Sequence, residues 1–188
     1  MSQNPENLVE QVEKTTKNLS RPPLEQWHPE LSGKMDLRIN RDGQWIHKGE
    51  PLGREAIVKL FSTILRREED GQYYLLTPVE KWQIQVEDTP LLAHSLEVTD
   101  TGEQQIITLT TNVGETLEVG NDHPLEIGHY EGSEQPRPLI RVRHGVDARL
   151  VTAAYYDLAE HVVEQTVDGK PVLGVFSNGN FYKIGQGG

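Results

Sequence analysis

Residues 91–119 have the sequence LLAHSLEVTDTGEQQIITLTTNVGETLEV, and this stretch decides the fold class. Apolar and polar side chains alternate over residues 92–99, as they do along a half-buried β-strand. Residues 106–111 and 115–119 repeat the alternation, and Gly, Asn and Asp residues separate the segments. Serial strands at this spacing predict an antiparallel meander or roll.

The alternating pattern continues toward the end of the chain. A helix is predicted over residues 147–163, because its apolar side chains recur at helical spacing. Asn178-Gly179 predicts a tight hairpin turn between the last two strands. Residues 89–188 therefore predict a mainly antiparallel β lobe with one helix, resembling a roll. Its further predicted strands are residues 125–130, 139–143, 172–176 and 181–184.

The segment before residue 89 predicts a smaller lobe made of a hairpin and a helix. Asp42-Gly43 is a strong hairpin signal within residues 35–48. Apolar residues then recur at the helical period over residues 54–67. Residues 24–88 therefore predict an N-terminal α+β lobe. The two strands predicted after the helix are residues 72–76 and 79–86.

A short helix is also predicted at the start of the chain. Asn4 suits the cap, Pro5 suits the first helical position, and Glu6 favours the positive end of the helix dipole. We expect residues 1–23 to form a helical extension outside the core. The predicted fold class is thus α+β with two lobes.

Charge is unevenly distributed along the chain. The 188 residues carry a net charge of −11, and residues 82–136 contain 11 acids with no Lys or Arg. An acidic protein is a poor partner for long nucleic acids and for anionic membranes. We find no signal peptide or membrane span in the sequence and expect a cytoplasmic protein. The absence of cysteine excludes disulfides, thiol catalysis and Cys-ligated zinc.

The sequence contains no recognisable catalytic motif. Phosphate-binding glycine loops and the nucleophile elbow are absent, and the seven histidines lack helical metal-ligand spacing. We therefore predict no metal, no cofactor and no enzymatic activity. A hydrolase that uses Glu87, Asp88 or a histidine is the least favoured alternative.

Arginines are concentrated directly after the acidic segment. On the strand predicted there, Arg141 and Arg143 lie on one face, roughly 7 Å apart. Arg149 follows in the first turn of the predicted helix, where a cation opposes the helix dipole unless an anion binds there. Two guanidiniums at this spacing suit a phosphate or carboxylate. The alternative is that these arginines pair with the acidic segment.

A second basic group lies in the N-terminal lobe. Arg66 and Arg67 end the predicted helix, where cations complement the helix dipole, and Lys81 lies on a polar strand face. This group could face the arginines of the C-terminal lobe across a cleft. Thr77 and Asn112 are predicted to contact polar edges of a ligand there.

Three segments resemble a bacterial family of unknown function. They are Thr111-Asn112-Val113-Gly114, Pro138-Leu139-Ile140-Arg141-Val142-Arg143, and residues 42–88, DGQWIHKGEPLGREAIVKLFSTILRREEDGQYYLLTPVEKWQIQVED. The resemblance covers residues 34–185. It implies a duplicated core, a pleckstrin-homology-like C-terminal lobe, a nucleotide-like ligand at the lobe interface and a role in signal transduction.

Together, these observations predict a non-enzymatic ligand-binding or signalling protein. A small anionic ligand would bind between the two lobes at the eight candidate residues Arg66, Arg67, Thr77, Lys81, Asn112, Arg141, Arg143 and Arg149. The alternative is a protein–protein interaction module without a small ligand, whose acidic segment recruits a basic partner.

Overall fold

The alternating segments form β-strands in the computed structural model, which describes residues 4–16 and 21–186. Three α-helices accompany the strands of this described part, which confirms the α+β class. The chain divides into two compact units. The N-terminal unit contains Met1–Pro90 and Arg143–Val146, and the C-terminal unit contains Leu91–Val142 and Asp147–Gly188.

The N-terminal unit is built on one six-stranded sheet with the strand order β3-β2-β1-β6-β5-β4. The pair β1 and β6 is parallel, and the other neighbours are antiparallel. The elements are α1 (Pro5–Thr16), β1 (Gly33–Ile39), β2 (Trp45–His47), β3 (Glu50–Pro51), α2 (Glu55–Thr63), β4 (Leu65–Arg67), β5 (Tyr73–Leu76) and β6 (Lys81–Val86).

Aromatic and aliphatic side chains form the core of this unit. Trp45 of β2 and Phe61 of α2 are buried, with ring centroids 6.1 Å apart. Leu8 and Val12 of α1 are fully buried as well. The helix at the start of the chain therefore contributes to the core, whereas the sequence predicted an extension outside it. Two buried aliphatic side chains one helical turn apart were enough to anchor this short helix.

The helix predicted over residues 54–67 is shorter than expected. It ends at Thr63, and Leu65–Arg67 forms the edge strand β4. Leu65 pairs with Leu75 and Arg67 with Tyr73 across the antiparallel β4–β5 ladder. This pairing is a tertiary interaction, and it overrides the helical spacing of the apolar residues.

The C-terminal unit contains two sheets. The larger has the order β10-β11-β12-β7-β8-β9, with β12 parallel to β7, and the smaller has the order β13-β14-β15. The elements are β7 (Leu91–Thr99), β8 (Ile106–Thr111), β9 (Thr116–Glu118), β10 (Leu125–His129), β11 (Pro136–Arg143), β12 (Val146–Leu150), α3 (Thr152–Ala159), β13 (Val163–Val167), β14 (Lys170–Ser177) and β15 (Asn180–Gln186).

The helix predicted over residues 147–163 is also shorter than expected. Only Thr152–Ala159 is helical, and strands lie on both sides of it. Val146, Ala148 and Leu150 are buried with a period of two, which is the periodicity of a strand. Arg149 therefore lies on β12, and its predicted position in the first turn of a helix is wrong.

Among residues 4–16 and 21–186, no helix has the length and apolar character needed to cross a bilayer.

Candidate functional site

The eight candidate residues are distributed over both units. Arg66, Arg67, Thr77, Lys81 and Arg143 belong to the N-terminal unit, and Asn112, Arg141 and Arg149 belong to the C-terminal unit.

In the N-terminal unit, Arg66 and Lys81 converge on Glu68. Arg66 Nη2 lies 2.6 Å from Glu68 Oε2, and Lys81 Nζ donates to Glu68 Oε1. The three side chains are 15–22% exposed, so water screens their charges only in part. Arg66 Nη1 also donates to the backbone carbonyls of Leu24 and Trp27, at 3.0 Å each. We call these three side chains the Glu68 network.

Glu68 is the residue of this network that the sequence analysis missed, because acids beside a turn are usually solvated. Burial raises the pKa of its carboxyl, but the hydrogen bonds from Lys81 and Arg66 outweigh burial and lower the pKa overall. Glu68 is therefore held ionised between two cations, which indicates a structural role for the three charges.

Tyr74 extends the same cluster. Its hydroxyl donates to Asp70 Oδ2, and Lys81 Nζ lies 4.3 Å from the centroid of its ring. The hydrogen bond to Asp70 raises the pKa of Tyr74 to about 12, and the same bond lowers the pKa of Asp70. Lys81 thus contacts both a carboxylate and an aromatic face within this unit.

Arg67 lies beside the turn that precedes β12. Its guanidinium lies over the ring of Tyr73, 5.7 Å from the centroid, and its backbone N–H donates to the carbonyl of His144 at 3.0 Å. Burial lowers the pKa of His144, which follows Arg143. The sequence placed Arg66 and Arg67 at the end of a helix. That placement is wrong, because both residues lie on β4.

Thr77 and Asn112 hydrogen-bond to the backbone near the ends of strands. Thr77 Oγ1 accepts the N–H of Glu80 at 2.9 Å, and Asn112 Oδ1 accepts the N–H of Leu92 at 3.1 Å. Short polar side chains commonly satisfy backbone donors in this way. These bonds account for both residues, and their contact with a ligand stays a prediction.

In the C-terminal unit, Arg141 and Arg149 differ in their surroundings. Arg141 forms an ion pair with Asp147, with Nε and Oδ1 2.6 Å apart, and its side chain is 47% exposed. Arg149 is half-buried at the wall of a cavity of about 220 Å³. We call it the Arg149 cavity, and its other principal lining residues are Tyr130, Tyr155, Tyr156, Pro136 and Pro138.

The start of α3 adds to the chemistry of the Arg149 cavity. Thr152, the first residue of the helix, lines the cavity, and the cap residue Val151 makes no side-chain hydrogen bond to the helix. Backbone N–H groups in the first helical turn lack partners within the helix and favour an anion. A guanidinium, free amides and tyrosine rings together suit a ligand that carries an anionic group and a planar part.

The tyrosines of this cavity were not predicted as site residues. Tyr155 is half-buried, whereas Tyr156 is 66% exposed. The adjacent pair Tyr155-Tyr156 is the sequence pattern that could have indicated these site residues, because an exposed aromatic ring on a helix often marks a contact surface.

A larger and more polar cleft lies elsewhere in the same unit. Its volume is about 780 Å³, and it carries the carboxylates of Glu118 and Asp122 beside His123. Asn178 at its edge donates to Glu118 Oε1 at 3.3 Å and to the carbonyl of Val119 at 2.9 Å. These two carboxylates disfavour an anion, so the smaller Arg149 cavity is the better candidate.

Glu87, one of the acids considered for hydrolysis, is paired with neighbouring groups. Glu87 Oε2 accepts the N–H of Arg41 at 2.9 Å, and Glu87 Oε1 lies 3.5 Å from Arg38 Nε. Among the residues that the structure describes, no group of three or more His, Asp or Glu side chains is arranged to hold a metal ion.

Fold and site together define a class: an α+β protein of two units, with an arginine-lined cavity in the second. Family comparison agrees with the division. Residues 22–89 match the N-terminal domain of DUF1285, described as a domain of unknown function, and residues 90–184 match the C-terminal domain of the same family. The chain therefore belongs to the DUF1285 family, and the resemblance stated from the sequence is confirmed.

Two crystal structures of DUF1285 family proteins resemble this chain. The protein from Silicibacter pomeroyi DSS-3 is 34% identical with a TM-score of 0.83, over 95% of this chain and 94% of that chain. The protein from Shewanella baltica OS155 is 27% identical with a TM-score of 0.52, over 66% of this chain and 91% of that chain. No curated protein matches the sequence.

Proposed function

We propose that the protein is a non-enzymatic ligand-binding protein whose C-terminal unit holds a small anionic ligand in the Arg149 cavity. The observation that carries the proposal is the position of Arg149 on β12, where it is half-buried and lines a cavity with three tyrosines and with Thr152, the first residue of α3. Arg149 would fork to two oxygens of a phosphate or carboxylate. The first-turn amides of α3 would share the negative charge.

The size of the cavity limits what it can enclose. Its volume of about 220 Å³ is below the roughly 300–1,000 Å³ typical of sites for drug-sized ligands. The cavity therefore suits one anionic group with an adjoining ring, such as part of a nucleotide. A base could stack on Tyr155 or Tyr156, since aromatic rings bind bases of every kind.

The proposal includes the finer expectations from the family resemblance. We propose that the C-terminal unit has a pleckstrin-homology-like fold. We also propose that the ligand-bound protein has a role in signal transduction. The antiparallel ladders of the unit and the single helix between β12 and β13 support the first expectation. A role in signalling would require that ligand binding alter a surface used by a partner.

Thermal unfolding with a panel of probes tests the proposal. The probes are inorganic phosphate, adenosine monophosphate and citrate, with uncharged adenosine as a control for stacking alone. We expect a saturable rise of the melting temperature with an anionic probe in the wild type and its loss in Arg149→Gln. A probe at a hundred times its Kd would stabilise the native state by about 2.7 kcal/mol.

Arg141→Gln is the matched control, because it removes the same charge from the same unit. Arg141 is paired with Asp147 and does not line the Arg149 cavity, so its variant should keep the ligand-induced shift. The proposal fails if no anion shifts the wild type, or if Arg149→Gln responds as the wild type does.

An interaction module without a small ligand is the second candidate function. One observation favours it: the cleft of about 780 Å³ carries Glu118 and Asp122 from the acidic segment and could receive a basic partner. Pull-down with the wild type and with Glu118→Lys/Asp122→Lys tests this candidate. Partners that remain bound to the double variant would count against it.

A further inference from the structure

Strand β13 (Val163–Val167) is the edge of the three-stranded sheet, and all five of its residues are exposed. It pairs regularly with β14 on one side, from Val163↔Gly174 to Val167↔Lys170. No strand within residues 4–16 and 21–186 pairs with its other side. The outer edge therefore presents backbone donors and acceptors for further pairing.

The other edge strands carry features that oppose further pairing. β3 has two residues and contains Pro51, and β4 and β9 have three residues each. β10 contains Gly128, and β15 carries Lys183. β13 contains no Pro, Gly, Lys or Arg. Since short strands, Pro and charges, Lys above all, protect natural sheets from edge-to-edge association, β13 is a weakly protected edge, with Glu164 as its one charge.

Exposed apolar side chains are concentrated at the same place. Val163 and Val167 are each 43% exposed. On one face of β13, Val163 and Gln165 also border a groove of about 280 Å³ with Phe176 of β14. A strand added at this edge would cover part of that apolar surface.

The sequence of β13, VEQTV, is complementary to itself. In an antiparallel pair related by a two-fold axis, a residue on the axis lies opposite its own copy. With Gln165 on the axis, Val163 lies opposite Val167 and Glu164 lies opposite Thr166. No like charges are opposed in this register, and β-branched residues face each other.

The neighbouring symmetric registers lack this property. With Glu164 on the axis, two glutamates lie opposite each other. With Thr166 on the axis, the position opposite Glu164 is taken by Asp168, a turn residue with positive φ beyond the end of β13, so the ladder is shorter and brings a second acid toward Glu164. Like charges in directly opposite positions destabilise a strand pair, so charge selects the register centred on Gln165.

We propose that β13 is a homodimerisation edge, at which a second copy of this chain adds its own β13 antiparallel with Gln165 on the two-fold axis. The two three-stranded sheets then form one continuous six-stranded sheet. Five residues from each copy make a small contact compared with the roughly 1,200–2,000 Å² of stable interfaces. The dimer is therefore weak and depends on protein concentration.

Sedimentation velocity over a concentration series tests the proposal with a pair of matched variants. Gln165→Lys places two lysines opposite each other and should weaken the dimer roughly fivefold. Thr166→Lys places each introduced lysine opposite Glu164 of the other copy and should tighten the dimer by up to roughly fivefold. Both variants raise the net charge by one from −11, so overall charge cannot explain opposite effects.

A mixing experiment identifies the position of the axis. Gln165→Lys and Gln165→Glu should each associate less than the wild type, and their equimolar mixture should associate at least as strongly as the wild type. Circular dichroism verifies that each variant folds. Residues 165 and 166 are both exposed, so the substitutions should leave the fold intact. The proposal is overturned if the wild type and Thr166→Lys both stay monomeric up to roughly 1 mM, a concentration at which even a weak dimer should form. It is also overturned if the mixture associates no more than its components.

Discussion

The Glu68 network of the N-terminal unit and the Arg149 cavity of the C-terminal unit contain similar cations in different surroundings. Arg66 donates to one carboxylate and to two backbone carbonyls, so the surrounding protein uses its donors. Arg149 lies at the wall of a cavity beside the first turn of α3. The difference teaches that two arginines with the same charge can have different roles: Arg66 is part of an ion-pair network, whereas Arg149 borders a cavity in which we propose that an anion binds.

The comparison also separates two measurable properties. Removing charge from the Glu68 network should change the free energy of unfolding, because it leaves a partly buried charge without its partner. Removing Arg149 should change ligand binding first. Loss of a charge from the Glu68 network should therefore reduce the free energy of unfolding more than loss of a charge outside it.

Glu68→Gln should have the largest effect on stability. The substitution leaves Arg66 and Lys81 without their shared carboxylate. Breaking a buried pair costs about 3–5 kcal/mol, and partial exposure reduces the expected loss to about 2–3 kcal/mol. Urea denaturation measures this loss. Glu69→Gln is the matched control, since Glu69 is the exposed neighbour and the same charge is removed. Equal losses in the two variants would contradict a structural role for Glu68.

Acid should reveal the same network in the wild type. The pKa of Glu68 is lowered in the folded state relative to 4.5, so its contribution to stability is present above pH 4.5. That contribution is lost as pH falls through the folded pKa, because the unfolded state then binds more protons. Urea denaturation between neutral and acidic pH should show a steeper loss in the wild type than in Glu68→Gln. Parallel profiles would argue against the network.

Tyr74→Phe should produce a smaller effect that is detected best by spectroscopy. The hydrogen bond to Asp70 raises the pKa of Tyr74 to about 12, so its phenol ionises later than an ordinary tyrosine. Ultraviolet titration of the wild type should contain a late component that comes from Tyr74. That component should be absent from Tyr74→Phe and retained in Tyr73→Phe. A late component in both variants would assign it to another residue.

Arg141→Gln should have the smallest effect. Its ion pair with Asp147 is nearly half exposed on the arginine side. Exposed pairs contribute at most about 1 kcal/mol, so we expect a change of about 0.5 kcal/mol or less in urea denaturation. A loss as large as that of Glu68→Gln would contradict the assignment of a minor contribution to this exposed ion pair.

The positions of many strands along the chain could be predicted from the sequence, because alternation is a local property. Residues 92–99 and 106–111 were predicted as strands and form β7 and β8 with bounds that differ by at most one residue. The errors occurred where helical spacing and strand alternation overlap. Leu65–Arg67 and Val146–Leu150 became strands because partners elsewhere in the chain pair with them.

The candidate site was predictable only in part. Arg149 was selected for its position near a helix start, and it does lie three residues before α3, although on a strand. Glu68 and the tyrosines of the Arg149 cavity were not predicted. For Glu68 the reason is that a carboxylate in solvent and a carboxylate in an ion-pair network have the same sequence pattern. Residues that enclose a cavity come from distant segments, here 130–138 and 149–156.

The sequence by itself determined the α+β class, the serial strands of the C-terminal unit and the types of residue able to hold an anion. These depend on hydrophobic periodicity and turn chemistry, which act between near neighbours. Only the tertiary structure decided where the helices end and which charges are paired. Arg66, for example, hydrogen-bonds to the carbonyl of Leu24, which is 42 residues away. Such contacts form only when the sheet brings distant segments together, so no local pattern records them.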